Sequence, residues 1–318
     1  MLNKKIFDYE VDDYMELYVL IKSADERMAR NNKPFLALEL QDTSGEIRSQ
    51  IWDVSDSEIA RYQPGRVIWV SGKREDFNGI PQLRLQKIRL ASDGEPSNPE
   101  LYVKRAPVKK EDMIEKVNQA IFQITNVNQN RIVRHILGKY QKDFFSSPAA
   151  KKIHHAFAGG LAYHTVSMLN LGKAIADYYP HIDRSLLYAG LILHDLAKVK
   201  ELSGPLATEY TLKGQLIGHI VMISEEVSKA CQELKIDEND EDVILLKHVL
   251  LAHHGELEYG SPVRPQVLEG EIIHYIDQID AKINMVSEAL SVTNPGEFTQ
   301  RLFAMDHRAF YKPHSYEE

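Results

Sequence analysis

The spacing of apolar residues changes along this chain, and that change restricts the folds it can adopt. Before about residue 90, apolar and polar residues alternate in short runs such as PFLALELQD (34–42) and EIRSQIWDV (46–54). From residue 111 onwards, apolar residues recur every three or four positions. A period of two is typical of strands with one buried face, and a period near 3.6 is typical of helices. The sequence therefore predicts a β domain followed by an all-α domain.

The β part contains further strand-like runs, RVIWVSGKRE (66–75) and IPQLRLQKIRL (80–90), and a short helical piece, SDSEIARY (55–62). Turn residues separate the runs at Asp42–Gly45 and at Asn78-Gly79. Five short strands in about 80 residues predict a small barrel or sandwich. A long first strand, a hairpin and then the helical piece resemble the OB-fold, so we expect an OB-like β-barrel.

The local composition of the chain indicates where its domains begin and end. Residues 91–110 are rich in proline, serine and charge, which predicts a linker. We divide the chain into an OB-like domain (1–92), a linker (93–112), a helical domain (113–300) and a C-terminal tail (301–318). Within the helical domain, the periodicity predicts helices near residues 112–140, 160–179, 185–199, 214–233, 241–253 and 267–290.

Composition also limits the class of protein. The first residues, MLNKKIFDYEVDDYMEL, lack the apolar core of a signal peptide, and no run is apolar enough to span a membrane. The single cysteine, Cys231, fits a reducing cytoplasmic setting. The net charge is −8, with 14 basic and 15 acidic residues among the first 90. An acidic helical domain can still act on phosphates if bound cations supply positive charge.

Histidines are concentrated in the helical part, where ten of the thirteen lie between His154 and His274. Several stand among aliphatic residues in separate predicted helices, and carboxylates accompany them. Buried imidazole and carboxylate are costly unless they are paired or bound to metal. These ligand types without thiolate favour a first-row divalent ion over a zinc-finger site. The candidate ligands are His164, His194, Asp195, His219, His253, His254 and Asp277.

The order of these residues resembles the HD superfamily of metal-dependent phosphohydrolases. The resemblance implies that His164 is the first ligand, that His194-Asp195 is the defining dipeptide, and that Asp277 closes the set. It further implies that Asp195 bridges two metals, and that His219 with His253 or His254 belongs to a two-metal site. Lys198 completes an HD-x-x-K arrangement, and we expect its ammonium to reach the substrate phosphate.

Five nearby residues carry weaker expectations. His155, and less so His154, could reach the metal or the phosphate, and Asp280 could orient a ligand or cap a neighbouring helix. We expect His274 to play a structural or supporting role. Glu201, which follows HDLAKVK, is expected to be solvated.

The barrel supplies candidates for binding a nucleic acid, because exposed aromatics on an OB face stack bases while cations follow the phosphates. The alternative is that the tryptophans are core residues, and alternation allows only one of Ile51 and Trp52 to be buried in the barrel. The candidates are Trp52, Trp69, Phe77, Lys73, Arg74 and Arg84.

An OB-like domain followed by an HD domain resembles the YhaM family of bacterial 3′-5′ exoribonucleases. The segments on which the resemblance rests are HHAFAGGLAYHT (154–165), LILHDLAKVKEL (191–202) and LLAHHGELEYGSP (250–262). The resemblance implies release of mononucleotides from single-stranded RNA, with single-stranded DNA left open as a substrate. One or two divalent ions are expected, Mn²⁺ first, then Mg²⁺, Co²⁺ or Fe.

Two rival functions and the assembly state stay open at this point. One rival is an HD-type phosphohydrolase of nucleotides or of cyclic or signalling nucleotides, because fold alone does not fix the substrate. The other is a non-catalytic nucleic-acid-binding protein, against which the full set of candidate ligands argues. A homo-oligomer is open, and no membrane partner is expected.

Overall fold

The computed structural model describes residues 4–77, 80–151 and 155–315. The predicted turn at Asn78-Gly79 and His154 lie outside the described residues. The chain forms two compact units, Met1–Arg105 with Ser203–Glu209, and Ala106–Leu202 with Tyr210–Glu318. Among the described helices, none combines the length and apolarity needed to cross a bilayer. The four segment boundaries drawn from the sequence stay a proposal.

The first unit is a closed barrel with the strand order β1-β2-β3-β5-β4. β1 pairs antiparallel with both β2 and β4, and a short parallel pairing of β3 with β5 closes the wall. A helix, α1, connects β3 to β4, and Ser55 caps its first turn. This is the topology of an OB-fold, as the sequence predicts. The elements are β1 (Tyr14–Met28), β2 (Pro34–Asp42), β3 (Gly45–Trp52), α1 (Asp56–Arg61), β4 (Val67–Phe77) and β5 (Ile80–Leu90).

Alternation along β2 explains the barrel core. Leu36, Leu38 and Leu40 point inward and are buried, whereas the residues between them are partly exposed. Asp42 follows in the same inward register and is also buried. Its carboxylate accepts hydrogen bonds from the Ile6 N–H at 2.7 Å and from the N–H and hydroxyl of Ser44 at 2.7 and 2.6 Å. A buried carboxylate therefore shapes the β2–β3 turn and joins the N-terminal segment to it.

The second unit is helical, as the periodicity predicts. Its most buried helix is α5, in which every residue from Ser185 to Leu193 is buried. A helix that is apolar on all sides belongs in a core, and α5 packs against α3, α4, α9 and α10. The helices are α2 (Lys110–Phe122), α3 (Val127–Phe144), α4 (Gly160–Tyr178), α5 (Arg184–Leu193), α6 (Lys198–Glu201), α7 (Leu212–Ile217), α8 (His219–Leu234), α9 (Glu241–Ala252) and α10 (Leu268–Ser291).

Three of the predicted helices are interrupted. The helix predicted at 112–140 is two helices, because the Asn126 side chain caps α3 while Asn130 donates to the carbonyls of Ile121, in the last turn of α2, and Ile124, just beyond it. The one predicted at 185–199 ends at Leu193 and continues as turns to α6. The one predicted at 214–233 is broken at Gly218, whose φ of 77° and ψ of 154° no helix can contain. Periodicity does not register such breaks, since the apolar face resumes beyond them.

We predict that Asp42→Ala destabilises the barrel by about 2–4 kcal/mol, because three hydrogen bonds to a buried carboxylate are lost. Both tryptophans of the chain, Trp52 and Trp69, lie on barrel strands, so tryptophan fluorescence during urea unfolding follows this unit. The control is Asp25→Ala, an exposed carboxylate on β1 that should change stability by less than about 0.5 kcal/mol. Equal effects of the two substitutions would contradict the role given to Asp42.

Candidate metal centre

The end of the buried helix α5 carries the His194-Asp195 dipeptide into the interior of the helical unit. Both side chains are buried, and α4 and α10 bring His164 and Asp277 to them. His164 Nε2 lies 3.3 Å from His194 Nε2, 3.2 Å from Asp277 Oδ1 and 3.7 Å from Asp195 Oδ2. We call His164, His194, Asp195 and Asp277 the first group.

A second group forms on the other oxygen of the same carboxylate. Asp195 Oδ1 lies 3.2 Å from Nε2 of His219 and 3.8 Å from Nε2 of His253. His219, His253 and His254 each place a nitrogen within 4.8 Å of the other two. We call these three histidines with Asp195 the second group. One carboxylate thus faces both groups, with one oxygen toward each.

The orientation of the histidine rings is set by their Nδ1 atoms. Each Nδ1–H donates to an oxygen that can only accept, so Nε2 is the atom that each ring directs into the site. This arrangement is typical of metal-binding histidines, whose second nitrogen is held by a carboxylate or carbonyl. The acceptors are Asp280 for His164 (2.7 Å), Leu191 O for His194 (2.9 Å), Glu201 for His219 (3.1 Å), Leu250 O for His253 (2.7 Å) and Tyr259 O for His254 (2.7 Å).

Local breaks in the helices create these positions. His219 is the first residue of α8, directly after Gly218, so its backbone N–H is free of the helix and donates to Glu201 at 3.1 Å. At the end of α9, Gly255 adopts a φ of 79°, and a Cβ there would clash with the ring of His274. Only glycine fits such a left-handed, crowded position. The end of the helix predicted at 241–253 is confirmed, since α9 ends at Ala252, and His253 and His254 follow it directly.

The charges in the two groups differ. Burial opposes protonation of His164, but hydrogen bonds to Asp277 and Asp280 outweigh it and raise the pKa of His164 to about 9. Burial would raise the pKa of Asp195, yet Lys198 and His194 hold it well below its usual range. Burial, and then the neighbouring imidazoles, lowers the pKa of both His253 and His254, which are therefore neutral near pH 7. Two of the imidazoles in the second group, those of His253 and His254, are thus neutral beside the anionic Asp195 carboxylate.

Unsatisfied atoms indicate what the second group fits. Among the described residues, Asp195 Oδ1, His219 Nε2 and His253 Nε2 are buried without a hydrogen-bond partner. Lone pairs that face one another in a buried site repel unless a cation lies between them. Imidazole nitrogens with carboxylate oxygens are ligands for first-row divalent metals. The residues present therefore fit a metal ion.

Asp280 accepts hydrogen bonds that position a ring of the first group. It lies one turn after Asp277 on α10 and accepts hydrogen bonds from His164 Nδ1, from His155 Nε2 at 2.7 Å and from the Ser167 hydroxyl. Burial alone would raise the pKa of Asp280, but the hydrogen bonds from His155 and His164 hold it below its usual range. The geometry places both His155 and Asp280 behind the ligands. Since Asp280 holds the Nδ1 proton of His164, it sets which nitrogen of that ring faces Asp195 and Asp277.

Lys198 lies at the edge of the first group. Its ammonium donates to Asp195 Oδ2 at 2.7 Å, and its side chain is 12% exposed. Burial would lower the pKa of Lys198, but the charge of Asp195 outweighs it, so the ammonium stays protonated. Lys198, Asp195, His219, His254 and Asp277 all line one cleft with a volume of about 390 Å³. A cation therefore stands where a substrate would meet the candidate ligands.

Glu201 is the site residue that sequence reasoning missed. It was expected to be solvated, but it is buried and accepts from both the ring and the backbone of His219. Burial would raise the pKa of Glu201, but the hydrogen bond from His219 lowers it. The single turn of α6 positions it, and only the break at Gly218 brings His219 within reach. His274, expected to play a supporting role, places its Nδ1 3.2 Å from the carbonyl oxygen of His253.

The candidates on the barrel do not form one face. Trp52 is 60% exposed and stacks on Phe35 of β2, with ring centroids 4.7 Å apart. Trp69 is half-buried under the Arg89 guanidinium, on a strand that is not adjacent to β3. Phe77 is exposed at the end of β4. The basic candidates have protein partners: Lys73 pairs with Asp12, Arg74 donates to Tyr9 O and covers the Phe7 ring, and Arg84 lies near Glu75.

The raised pKa of His164 generates a prediction for the metal-free protein. A histidine with a folded pKa of about 9 and an unfolded pKa near 6.5 stabilises the fold fully below pH 6.5, and that stabilisation is lost as the pH rises through 9. With chelator, we expect the unfolding free energy of the helical unit to fall by up to about 3 kcal/mol across this window, at about 1.4 kcal/mol per pKa unit. Circular dichroism at 222 nm during urea unfolding measures it.

Two variants test the assignment to His164. His164→Gln should remove the pH dependence, whereas His181→Gln, at an exposed histidine, should retain it. Saturating Mn²⁺ should also remove it, since a metal ligand must give up the proton on Nε2. The same pH slope in wild type and His164→Gln would refute the assignment.

Residues 161–282 match the HD domain family, a range that includes every member of the first and second groups. The chain is also similar to the second OB-fold domain of replication protein A from Methanococcus maripaludis, at 19% identity over 29% of this chain and 98% of that one. The TM-score is 0.23, so the assignment of the barrel rests on its strand order alone. The HD domain is a metal-dependent phosphohydrolase domain, and residues 161–282 are therefore consistent with a hydrolase.

Proposed function

We propose that this chain is a metal-dependent 3′-5′ exoribonuclease that releases nucleoside monophosphates from single-stranded RNA. The observation that carries the proposal is Asp195, which lines the cleft and whose two oxygens face two groups of imidazoles. Two divalent ions at such a site, Mn²⁺ being the first to test, would lower the pKa of a water and neutralise charge on the phosphoryl oxygens. His164, His194 and Asp277 would hold one ion, and His219, His253 and His254 the other, with Asp195 shared.

The chain's own residues divide the remaining work. Lys198 supplies a fixed positive charge at the rim of the site, where an ammonium can pair with a phosphate without strict geometry. Asp280 and Glu201 keep the Nδ1 protons of His164 and His219 in place, so that Nε2 faces inward. Buried Ser, Cys or Tyr nucleophiles are not required, because water serves as the nucleophile in metal-assisted hydrolysis.

The barrel supports a polymeric substrate. Strands 2 and 3 of OB-folds commonly present the surface that binds oligonucleotides. On this barrel, Phe35 and Trp52 are register partners on β2 and β3, and Arg48 lies on the outer side of β3 with Trp52. We call these three residues the β2–β3 face. Aromatic rings stack on bases and a cation follows the phosphates, which suits single strands of any sequence.

The cleft also favours a second candidate, a phosphohydrolase of nucleotides or signalling nucleotides. A volume of about 390 Å³ is near the lower end of small-molecule sites, so it would accept one nucleotide. Strand-end labelling separates the two functions. With RNA labelled at its 5′ end, a 3′-5′ exonuclease produces a ladder of shortening strands, and with RNA labelled at its 3′ end it releases labelled mononucleotide at once. Hydrolysis of nucleotides without any RNA or single-stranded DNA shortening would favour the second candidate.

We predict that Asp195→Ala removes at least 99% of kcat on labelled RNA, because one substitution takes a ligand from both groups. A hundredfold loss corresponds to about 2.7 kcal/mol of activation free energy. Elemental analysis should detect loss of metal in the same variant, and chelation of the wild type should reproduce its inactivity. His181→Ala is the matched control outside the site. An Asp195→Ala protein with more than a tenth of wild-type kcat would overturn the metal assignment.

We predict that Trp52→Ala weakens binding of a long single-stranded RNA by about 5- to 150-fold, which corresponds to ~1–3 kcal/mol for one lost stack. Hydrolysis of a dinucleotide should change by less than about twofold, since the chemical step belongs to the helical unit. Fluorescence anisotropy with labelled RNA measures binding at two salt concentrations, and affinity should fall as salt rises. Tyr178→Ala, at an exposed aromatic of α4, is the control. Unchanged RNA affinity in Trp52→Ala would exclude this face.

A further inference from the structure

Two tyrosines line the same cleft as the candidate metal ligands. Tyr210 is 47% exposed and Tyr259 is 61% exposed, although both belong to the wall of a concave site. The remaining lining is polar at the metal end and small at Ala149, Ala150 and Ala281. Rings that stay open to solvent inside a cleft can contact a ligand without any rearrangement of the core.

The backbone near each ring is linked by hydrogen bonds to a histidine of the second group, directly at Tyr259 and through Glu201 at Tyr210. The Tyr259 carbonyl accepts the Nδ1 proton of His254 at 2.7 Å. Tyr210 pairs with Leu202 in an isolated β-bridge, and the next residue, Thr211, donates its N–H to the carbonyl of Glu201 at 2.9 Å. Glu201 in turn holds His219. The positions of both tyrosines relative to the second group are therefore fixed by hydrogen bonds.

We infer that Tyr210 and Tyr259 bind the base of the nucleotide whose phosphate lies at the metal centre. In a nucleotide, a planar aromatic base stands one sugar away from the phosphate, and an aromatic side chain stacks on any base because every base has a π-face. The cleft volume of about 390 Å³ is of the size needed for one nucleotide. This inference rests on the proposed function, and it defines the ligand as the terminal nucleoside monophosphate.

The rings, rather than the hydroxyl groups, carry this role. A phenol that acted on the phosphate would need its hydroxyl, whereas stacking needs only the ring. Tyr259→Phe should therefore behave like the wild type, and Tyr259→Ala should not. Tyr275 on α10 is 61% exposed and lies outside the cleft lining, so Tyr275→Ala is a control of equal exposure.

The test compares adenosine 5′-monophosphate with ribose 5-phosphate, which is the same molecule without the base. Isothermal titration calorimetry on the full-length Mn²⁺-loaded protein gives the ratio of the two Kd values. A Trp52→Ala background removes base stacking by the barrel from the comparison. We expect the nucleotide to bind at least about tenfold more tightly, because one base stack contributes ~1–3 kcal/mol. Tyr210→Ala and Tyr259→Ala should each reduce that ratio by about fivefold or more, at unchanged metal content.

Either of two results would overturn the inference: equal Kd values for the two ligands in the wild type, or an unchanged ratio in both alanine variants. Loss of metal in an alanine variant would assign that tyrosine a structural role and would also count against it. The outcome is separable from that of the proposed function. A base preference that depends on the tyrosines, without shortening of labelled RNA, would retain the base site and reject the exonuclease. Shortening of labelled RNA, with a ratio of Kd values that neither alanine variant changes, would support the exonuclease and reject the base site.

Discussion

The helical unit is organised around one buried carboxylate. Asp195 has Lys198, His164 and His194 near one oxygen and His219 and His253 near the other. A buried carboxylate with this many neighbours is stable only if they supply positive charge, as protonated side chains or as metal ions. The lysine and the protonated His164 provide part of that charge. The buried atoms of the second group that have no hydrogen-bond partner indicate where a metal ion would supply the rest of the positive charge.

The surrounding helices position that carboxylate and its neighbours. α5 is buried on every side, so its end delivers His194-Asp195 to the middle of the bundle rather than to its surface. The breaks at Gly218 and Gly255 place His219 at the first residue of α8 and His253 and His254 just beyond the end of α9, where the three rings lie together. Asp280 fixes the ring of His164, and Glu201 fixes the ring of His219. The site is therefore held by packing on one side and by acceptors for Nδ1 on the other.

The two units contribute different kinds of recognition to the proposed activity. The β2–β3 face of the barrel presents stacked aromatics and, on the same side of β3, an arginine, which suits a strand of any length. The cleft of the helical unit is concave and small, and its tyrosines stand beside the candidate ligands. The proposed exonuclease would need a surface that binds single strands of any sequence and a cleft that holds one nucleotide at the strand end. The barrel face and the cleft suit these two tasks.

The sequence alone determined the two classes of secondary structure, the OB-like topology and the identity of most candidate ligands. Those features depend on local periodicity and on polar residues placed in apolar helices, as at His164, His194-Asp195 and Asp277. It did not reveal where helices break, so Glu201 was misassigned as solvated and 214–233 as one helix. Nor could it tell which of Trp52 and Trp69 is exposed, or that Tyr210 and Tyr259 share a cleft with Asp195. Those outcomes depend on contacts between residues far apart in the chain, which only the packed tertiary structure decides.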